Sequence, residues 1–224
     1  MKTVFAAAAA AALLFTAGAA SAQNAEATFN VGVVSDYVFR GFSQTDENPA
    51  VQGGVDVTAG SFYVGAWASN VDFGDDTEVE IDTYGGYRTE AAGFAFDVGV
   101  IGYFYAQSPS GTDYDYVEFK GAASRAVGPA TIGAAVYYSP DFFGLDEEAT
   151  YIEANAAFTP ADKWTVSGAV GQQFLDVNDD YATWNVGVSY AFSDEVAVDL
   201  RYHDTDVDGT LSEGRIVGGL KFLF

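Results

Sequence analysis

The sequence predicts an all-β chain: a transmembrane antiparallel β-barrel of about 12 strands in up-and-down order. Three observations point there. Apolar and polar residues alternate at period two in segment after segment along the chain. The connections between these segments are short and long by turns. Finally, the chain is 49% hydrophobic despite a formal net charge of −23, yet past its first residues it has no run of about 18 apolar residues to make a membrane helix. If it meets a membrane, it does so with strands.

The N-terminal element is set apart. Lys2 precedes an apolar, alanine-rich run from Phe5 to Ala17, and Ala20-Ser21-Ala22 offers small residues for cleavage before Gln23. These features predict a signal peptide over 1–22, too short to span a bilayer, and leave 23–224 as one barrel domain. The alternating segments then follow as 26–40, 50–59, 62–70, 78–88, 94–106, 116–124, 130–138, 150–158, 163–174, 181–192, 196–203 and 215–224. In 94–106, Phe94, Phe96, Val98, Val100, Gly102, Phe104 and Ala106 share one side. In 78–88, Val79, Ile81, Thr83, Gly85 and Tyr87 oppose Glu78, Glu80, Asp82, Tyr84, Gly86 and Arg88. Helical spacing accounts for neither set.

Connections after even-numbered strands are brief, around Gly60-Ser61 and over 89–93, 125–129, 159–162 and 193–195. Those after odd-numbered strands are longer: 41–49, 71–77, 107–115, 139–149 and 204–214, with 175–180 the least distinct. The last strand has Phe222, Leu220, Gly218 and Ile216 on one face and Leu223, Lys221, Gly219, Val217 and Arg215 on the other, and ends on the aromatic Phe224.

Charge follows the same alternation. The strand acids are Glu26, Asp36, Asp56, Glu78, Glu80, Asp82, Asp97, Glu118, Glu153 and Asp199, and the strand bases are Arg40, Arg88, Lys120, Lys163, Arg201, Arg215 and Lys221. All lie opposite the apolar set. Most remaining acids crowd into the long connections, so one rim is strongly negative. Alternation alone does not say which face points inward. The export signal, the even strand count, the alternating connections and strands of about 9 to 15 residues all favour an apolar face turned to lipid. The greasy side of the last strand then touches lipid, and its backbone edge pairs with the first strand to close the barrel. Aromatics near strand ends (Tyr37, Phe39, Phe62, Phe94, Phe104, Tyr138, Phe158, Trp164, Phe174 and Phe192) would form interface girdles. Tyr63, Trp67, Tyr84, Tyr103, Tyr105, Tyr116, Tyr151 and Tyr181 would face and narrow the lumen.

Composition excludes other classes. There is no cysteine for a disulfide or a thiolate metal site. Nine Lys and Arg against 32 acids make nucleic acid a poor partner. No phosphate-cradling loop or zinc pattern occurs.

The stretch Val34-Ser-Asp-Tyr-Val-Phe-Arg-Gly-Phe-Ser-Gln-Thr-Asp46, continuing through Asn48-Pro-Ala-Val-Gln-Gly-Gly54 and Phe62-Tyr-Val-Gly-Ala-Trp-Ala-Ser-Asn-Val71, resembles the TorF-type porin family of proteobacteria. The resemblance is most specific over 31–73 and looser over the rest. Phe42 departs from the aliphatic residue that pattern has after its glycine. The resemblance implies an outer-membrane barrel, and it makes Phe224 the terminal signal read by the barrel-assembly machinery; it carries no substrate residues.

The expected function is therefore a cell outer membrane channel for passive diffusion of small solutes, not an enzyme and without a required cofactor. Asp36, Arg40, Asp56, Glu80, Asp82, Arg88, Asp97, Glu118, Lys120, Glu153, Asp199 and Arg201 would set its selectivity, and the acidic excess predicts a preference for cations. The competing reading is a structural or adhesive barrel with a plugged lumen. More remote is a protease using His203-Asp204, the one imidazole of the chain beside an acid at a loop end. Asp204, Asp206 and Asp208, in Asp-Thr-Asp-Val-Asp-Gly, match the first half of a calcium loop but reach Arg215 where a bidentate glutamate is needed. They would hold a divalent ion weakly. More generally, an acidic outer rim would bind Ca2+ or Mg2+ that bridges to lipopolysaccharide phosphates, beside the membrane lipid itself.

Overall fold

A strand whose alternate residues are apolar and polar has two faces that need different surroundings, and a sheet closed on itself supplies them without leaving an open edge. The computed structural model describes residues 25–224; the expected signal peptide over 1–22 lies outside them. The wall of the barrel consists of β1 (Glu26–Val34), β4 (Ala50–Ala59), β5 (Phe62–Asn70), β6 (Val79–Ala91), β7 (Phe94–Ala106), β8 (Tyr116–Val127), β9 (Ala130–Ser139), β10 (Ala149–Ala161), β11 (Trp164–Leu175), β12 (Tyr181–Ala191), β13 (Val196–Thr205) and β14 (Arg215–Leu223). Each strand is antiparallel to its neighbours in chain order, and β1 also pairs with β14, which closes a twelve-stranded barrel. Two further strands, β2 (Val38–Phe39) and β3 (Phe42–Ser43), form a separate hairpin.

Closure runs to the final residue. Asn30 pairs with Leu223, and Phe29 and Phe224 exchange backbone hydrogen bonds of 3.1 and 2.9 Å. Inside lipid each unpaired backbone group would cost several kcal/mol, so this last ladder is part of what makes the wall viable.

The apolar face is outside. Val31, Val64, Val98, Phe119, Val166, Leu200 and Ile216 are all exposed, and of the aromatics expected at strand ends Phe62, Phe94, Phe104, Tyr138, Phe158, Trp164, Phe174 and Phe192 are exposed too. Inward positions are polar or aromatic. Tyrosines fill the barrel because glycines on facing strands leave room for their rings: a Cβ on Gly65 would meet the Tyr84 ring, and one on Gly171 the Tyr151 ring.

Several strands run longer than the alternation suggested at the short-turn rim. β6 continues to Ala91, β8 to Val127 and β10 to Ala161, which shrinks those turns to about the two residues favoured for hairpins. The extension of β10 carries a register shift between Phe158 and Ala161, where Pro160 has no N–H to give to the ladder. The larger correction concerns the first segment. The wall strand ends at Val34, not at residue 40. After Ser35, whose N–H donates to Gly218 O at 2.8 Å, the chain leaves the wall.

Candidate functional site: a lumen crossed by a hairpin

Residues 36–48 fold into the barrel. At the tip of their hairpin, Arg40 and Gly41 both take positive φ, 45° and 92°, as a two-residue turn between tightly paired strands requires. The base is tied to the wall by Asp36. Its Oδ1 accepts the hydroxyls of Ser43 and Thr45 at 2.7 and 3.0 Å, and its Oδ2 accepts Arg215 Nη1 of β14 at 2.9 Å. Tyr37 packs edge-on against Trp67 of β5 and donates its hydroxyl to Glu80 of β6 at 2.9 Å.

The tip reaches the opposite wall. Arg40 meets Glu118 of β8 with both terminal nitrogens, Nη1 at 2.7 Å from Oε1 and Nη2 at 2.8 Å from Oε2. Nη1 also donates to Gln173 of β11 at 3.0 Å. The guanidinium lies 4.7, 5.2 and 4.3 Å from the ring centres of Phe39, Tyr137 and Tyr151, within cation–π range. Tyr103 adds a second donor to Glu118 at 3.0 Å. On a third side Phe42 packs edge-on against Tyr181, and Gly41 lies so close to Thr183 and Thr205 that a Cβ would come within 3.0 Å of both. The segment thus crosses the lumen and is held by nearly every wall around it.

Other lumen charges form local groups. Asp97 accepts Tyr63 OH at 2.7 Å, Lys120 Nζ at 2.9 Å and Arg88 Nε at 3.4 Å. Asp56 accepts Tyr84 OH at 2.7 Å. Asp199 pairs with Arg201, which also donates to Asn185 and Ser167. Glu153 accepts from Asn155 and Tyr151. Glu80 and Asp82 have no ion-pair partner among the described residues. Beside the hairpin base a cavity of about 90 Å³ is lined by Asn30, Gln52, Trp67, Asp199, Arg201, His203 and Lys221.

Asp56, Glu80, Asp82, Arg88, Asp97, Glu118, Lys120, Glu153, Asp199 and Arg201 lie at inward positions of wall strands, whereas Asp36 and Arg40 belong to the infolded segment rather than to a wall strand. Tyr37 and Phe39 sit with them inside and form no interface girdle. His203 is not on the rim: it is buried in the lumen, 7% exposed. Asp204, one residue on, points to the other face, where it accepts Tyr202 OH at 2.7 Å. Period-two geometry separates the pair, so they do not form a catalytic dyad. Asp204 and Asp206 are committed to hydrogen bonds, Asp206 to the Ala182 N–H at 2.7 Å. Among the described residues no three acidic or histidine side chains converge to hold a metal, so Asp204, Asp206 and Asp208 are not brought together as a calcium loop would need.

Sequence reading missed Gln173, Tyr137 and the reach of Arg40. A signal for the hairpin was present in Arg40-Gly41, set between Val38-Phe39 and Phe42-Ser43: a turn-forming glycine with an aromatic residue on either side of the turn.

Comparison with known proteins follows this geometry. Residues 16–220 match the family described as "Bacterial protein of unknown function (Gcw_chp)". No curated protein matches the chain. Among solved structures the fold is similar to the KdgM porin, with a TM-score of 0.62 and 8% identity over 88% of this chain and 99% of that one. It is similar to the NanC porin, with a TM-score of 0.58 and 9% identity over 88% and 98%. It is also similar to the COG4313 outer membrane channel from Pseudomonas putida F1, with a TM-score of 0.55 and 9% identity over 94% and 99%. At such identities the likeness is one of fold.

Proposed function

We propose that this chain, which belongs to the Gcw_chp family of bacterial proteins, is a porin-like channel of the cell outer membrane, passing small solutes passively, preferring cations and carrying out no covalent chemistry. The observation that carries the reading is the distribution of charge inside a barrel that is apolar outside. The bases Arg40, Lys120, Arg201 and Arg215 are each paired with a carboxylate. Among the described residues Glu80, Asp82 and Glu153 have no ion-pair partner, and they lie in the half of the barrel narrowed by the hairpin. Carboxylates without a protein counter-charge at a constriction favour cations, and the acidic long-loop rim concentrates them at the mouth. KdgM has been solved in complex with disordered oligogalacturonate, a polyanion; the acidic excess here disfavours a solute of that sign.

The TorF-type resemblance supports the same reading, since its most specific stretch contains the hairpin that would set the pore. Export by residues 1–22, recognition of Phe224 by the assembly machinery, and divalent ions bridging rim acids to lipopolysaccharide belong with an outer-membrane location.

A specific observation favours a second reading. The hairpin is bonded to walls on opposite sides, as a permanent plug would be, and the barrel would then be structural or adhesive. Single-channel recording of the refolded barrel across a salt gradient separates the two. The channel reading expects a steady current with a cation-selective reversal potential, reduced in Glu80→Gln/Asp82→Asn. A reversal potential unmoved by that double substitution removes these carboxylates from the selectivity assignment, and a folded but silent barrel favours the plug.

A further inference from the structure

Two carboxylates without an ion-pair partner among the described residues lie beneath the base of the hairpin. Glu80 and Asp82 are two residues apart on β6, so both side chains face the lumen. Glu80 is only 1% exposed. The two carboxyl groups are close enough to interact directly. Glu80 spends Oε1 on the Tyr37 hydroxyl at 2.9 Å. Its Oε2, the Oδ1 of Asp82 and the hydroxyl of Tyr116 are all buried without a hydrogen-bond partner.

Among the described residues the surroundings supply no free counter-charge. Tyr37 comes from the infolded segment, Tyr103 and Tyr105 from β7 beside β6, and Tyr116 and Glu118 from β8. These are phenols and one more acid, and Arg40 is already taken by that acid at 2.7 Å. Two neighbouring carboxylates, one buried and the other half-buried with its Oδ1 out of reach of water, are unfavourable as a pair of charges unless a cation joins them or a proton is shared. The unpartnered atoms here are all oxygens, which is the donor set that hard cations take.

We infer that Glu80 and Asp82 form a binding site for one hard metal cation, Mg2+ or Ca2+, beneath the hairpin, with the Tyr116 hydroxyl as a neutral neighbour. Among the described residues no third acidic or histidine side chain joins the two carboxylates, which suits an ion that keeps part of its water shell, as Mg2+ does. By fixing Glu80, the ion also fixes Tyr37, and with it the base of the hairpin. The inference rests on the channel reading only for the route by which the ion enters.

The test is titration of the purified, folded barrel in detergent with Tb3+, exciting the tyrosines and Trp67 and reading sensitised luminescence, followed by competition with Mg2+ and Ca2+. One saturable component displaced by Mg2+ or Ca2+ is expected in the parent and in Asp204→Asn/Asp206→Asn/Asp208→Asn, and its loss is expected in Glu80→Gln/Asp82→Asn. That last variant relieves like-charge repulsion, and its heat-modifiable migration confirms that it folds. Equal binding in the parent and in Glu80→Gln/Asp82→Asn would place the ions on the rim and overturn the site. So would a parent that responds to pH alone and to neither metal, which would mean a shared proton. A silent barrel that loses the component in Glu80→Gln/Asp82→Asn keeps the site and sinks the channel reading; a conducting barrel without the component does the reverse.

Discussion

Arg40 concentrates in one side chain the interactions that hold the hairpin across the lumen. Its planar fork matches the two oxygens of Glu118 and leaves Nη1 able to reach Gln173 as well, a geometry that a point-charge ammonium does not reproduce. With the arginine 8% exposed and Glu118 1% exposed, removing one partner strands the other charge. Arg40→Ala is expected to destabilise the folded barrel by about 3–5 kcal/mol, the range for breaking a buried pair, and to raise conductance as the hairpin tip comes free. Arg40→Lys should fall between the two, keeping charge but losing the fork. Unfolding followed by the shift in gel mobility measures the first effect and bilayer recording the second; an Arg40→Ala barrel as stable and as resistive as the parent would show that the contact holds nothing in place.

Among elements, the infolded segment and the wall carry separate duties. β1 pairs with β4 from Glu26↔Thr58 to Val34↔Ala50, and that ladder makes no use of residues 36–48. Replacing 36–48 with a short Gly-Ser linker should therefore leave a folded barrel with a wider, less selective pore, seen as a larger unitary current. The long loops have a device of their own. Glu147, buried at the long-loop rim, accepts the N–H of Val177 at 2.7 Å, the N–H of Asn178 at 2.6 Å and the Asn178 side-chain amide at 2.7 Å, tying the loop after β9 to the loop after β11. Burial raises its pKa, but the hydrogen bonds from Asn178 and Val177 outweigh this and hold the carboxyl below its usual 4.5. A lowered folded-state value means that the tie contributes fully above about pH 4.5 and fades as acid protonates Glu147 below it. Proteolysis of 140–148 is expected to quicken only at that acidic end, and Glu147→Gln should remove the pH dependence.

For the whole molecule, the decisive division is between an outer face that is apolar along the strands, with Arg125 and Asp204 near strand ends, and a lumen full of charge. Val98, two residues from the middle of β7 and 55% exposed, faces outward. Val98→Arg should cost roughly 2–4 kcal/mol, the depth-dependent penalty for a charge at the bilayer midplane, and lower the yield of barrel folded into vesicles. Polar substitution at an inward neighbour such as Ala122 should change conductance far more than folding. If Val98→Arg folds into vesicles as well as the parent, the outward face is not in lipid.

The barrel was legible in the sequence because a wall strand must alternate, and the alternation has to agree with closure, turn length and the sign of every inward residue at once. Twelve strands, the inward carboxylates and the tyrosine-filled lumen all followed from that periodicity. It could not distinguish a wall strand from a strand inside the lumen, since both alternate. The charges Glu26, Asp36 and Arg40 keep one parity across residues 26–40, and the inversion at Val34-Ser35 is too slight by itself to mark where the chain leaves the wall. The partners of Arg40 are 78 and 133 residues away, and contacts of that separation exist only once the sheet has curved back on itself. The infolding of the segment after Ser35 also decided that Glu80 lies under Tyr37. The inventory of charges was written in the chain, while their pairing depended on which walls the barrel brought face to face.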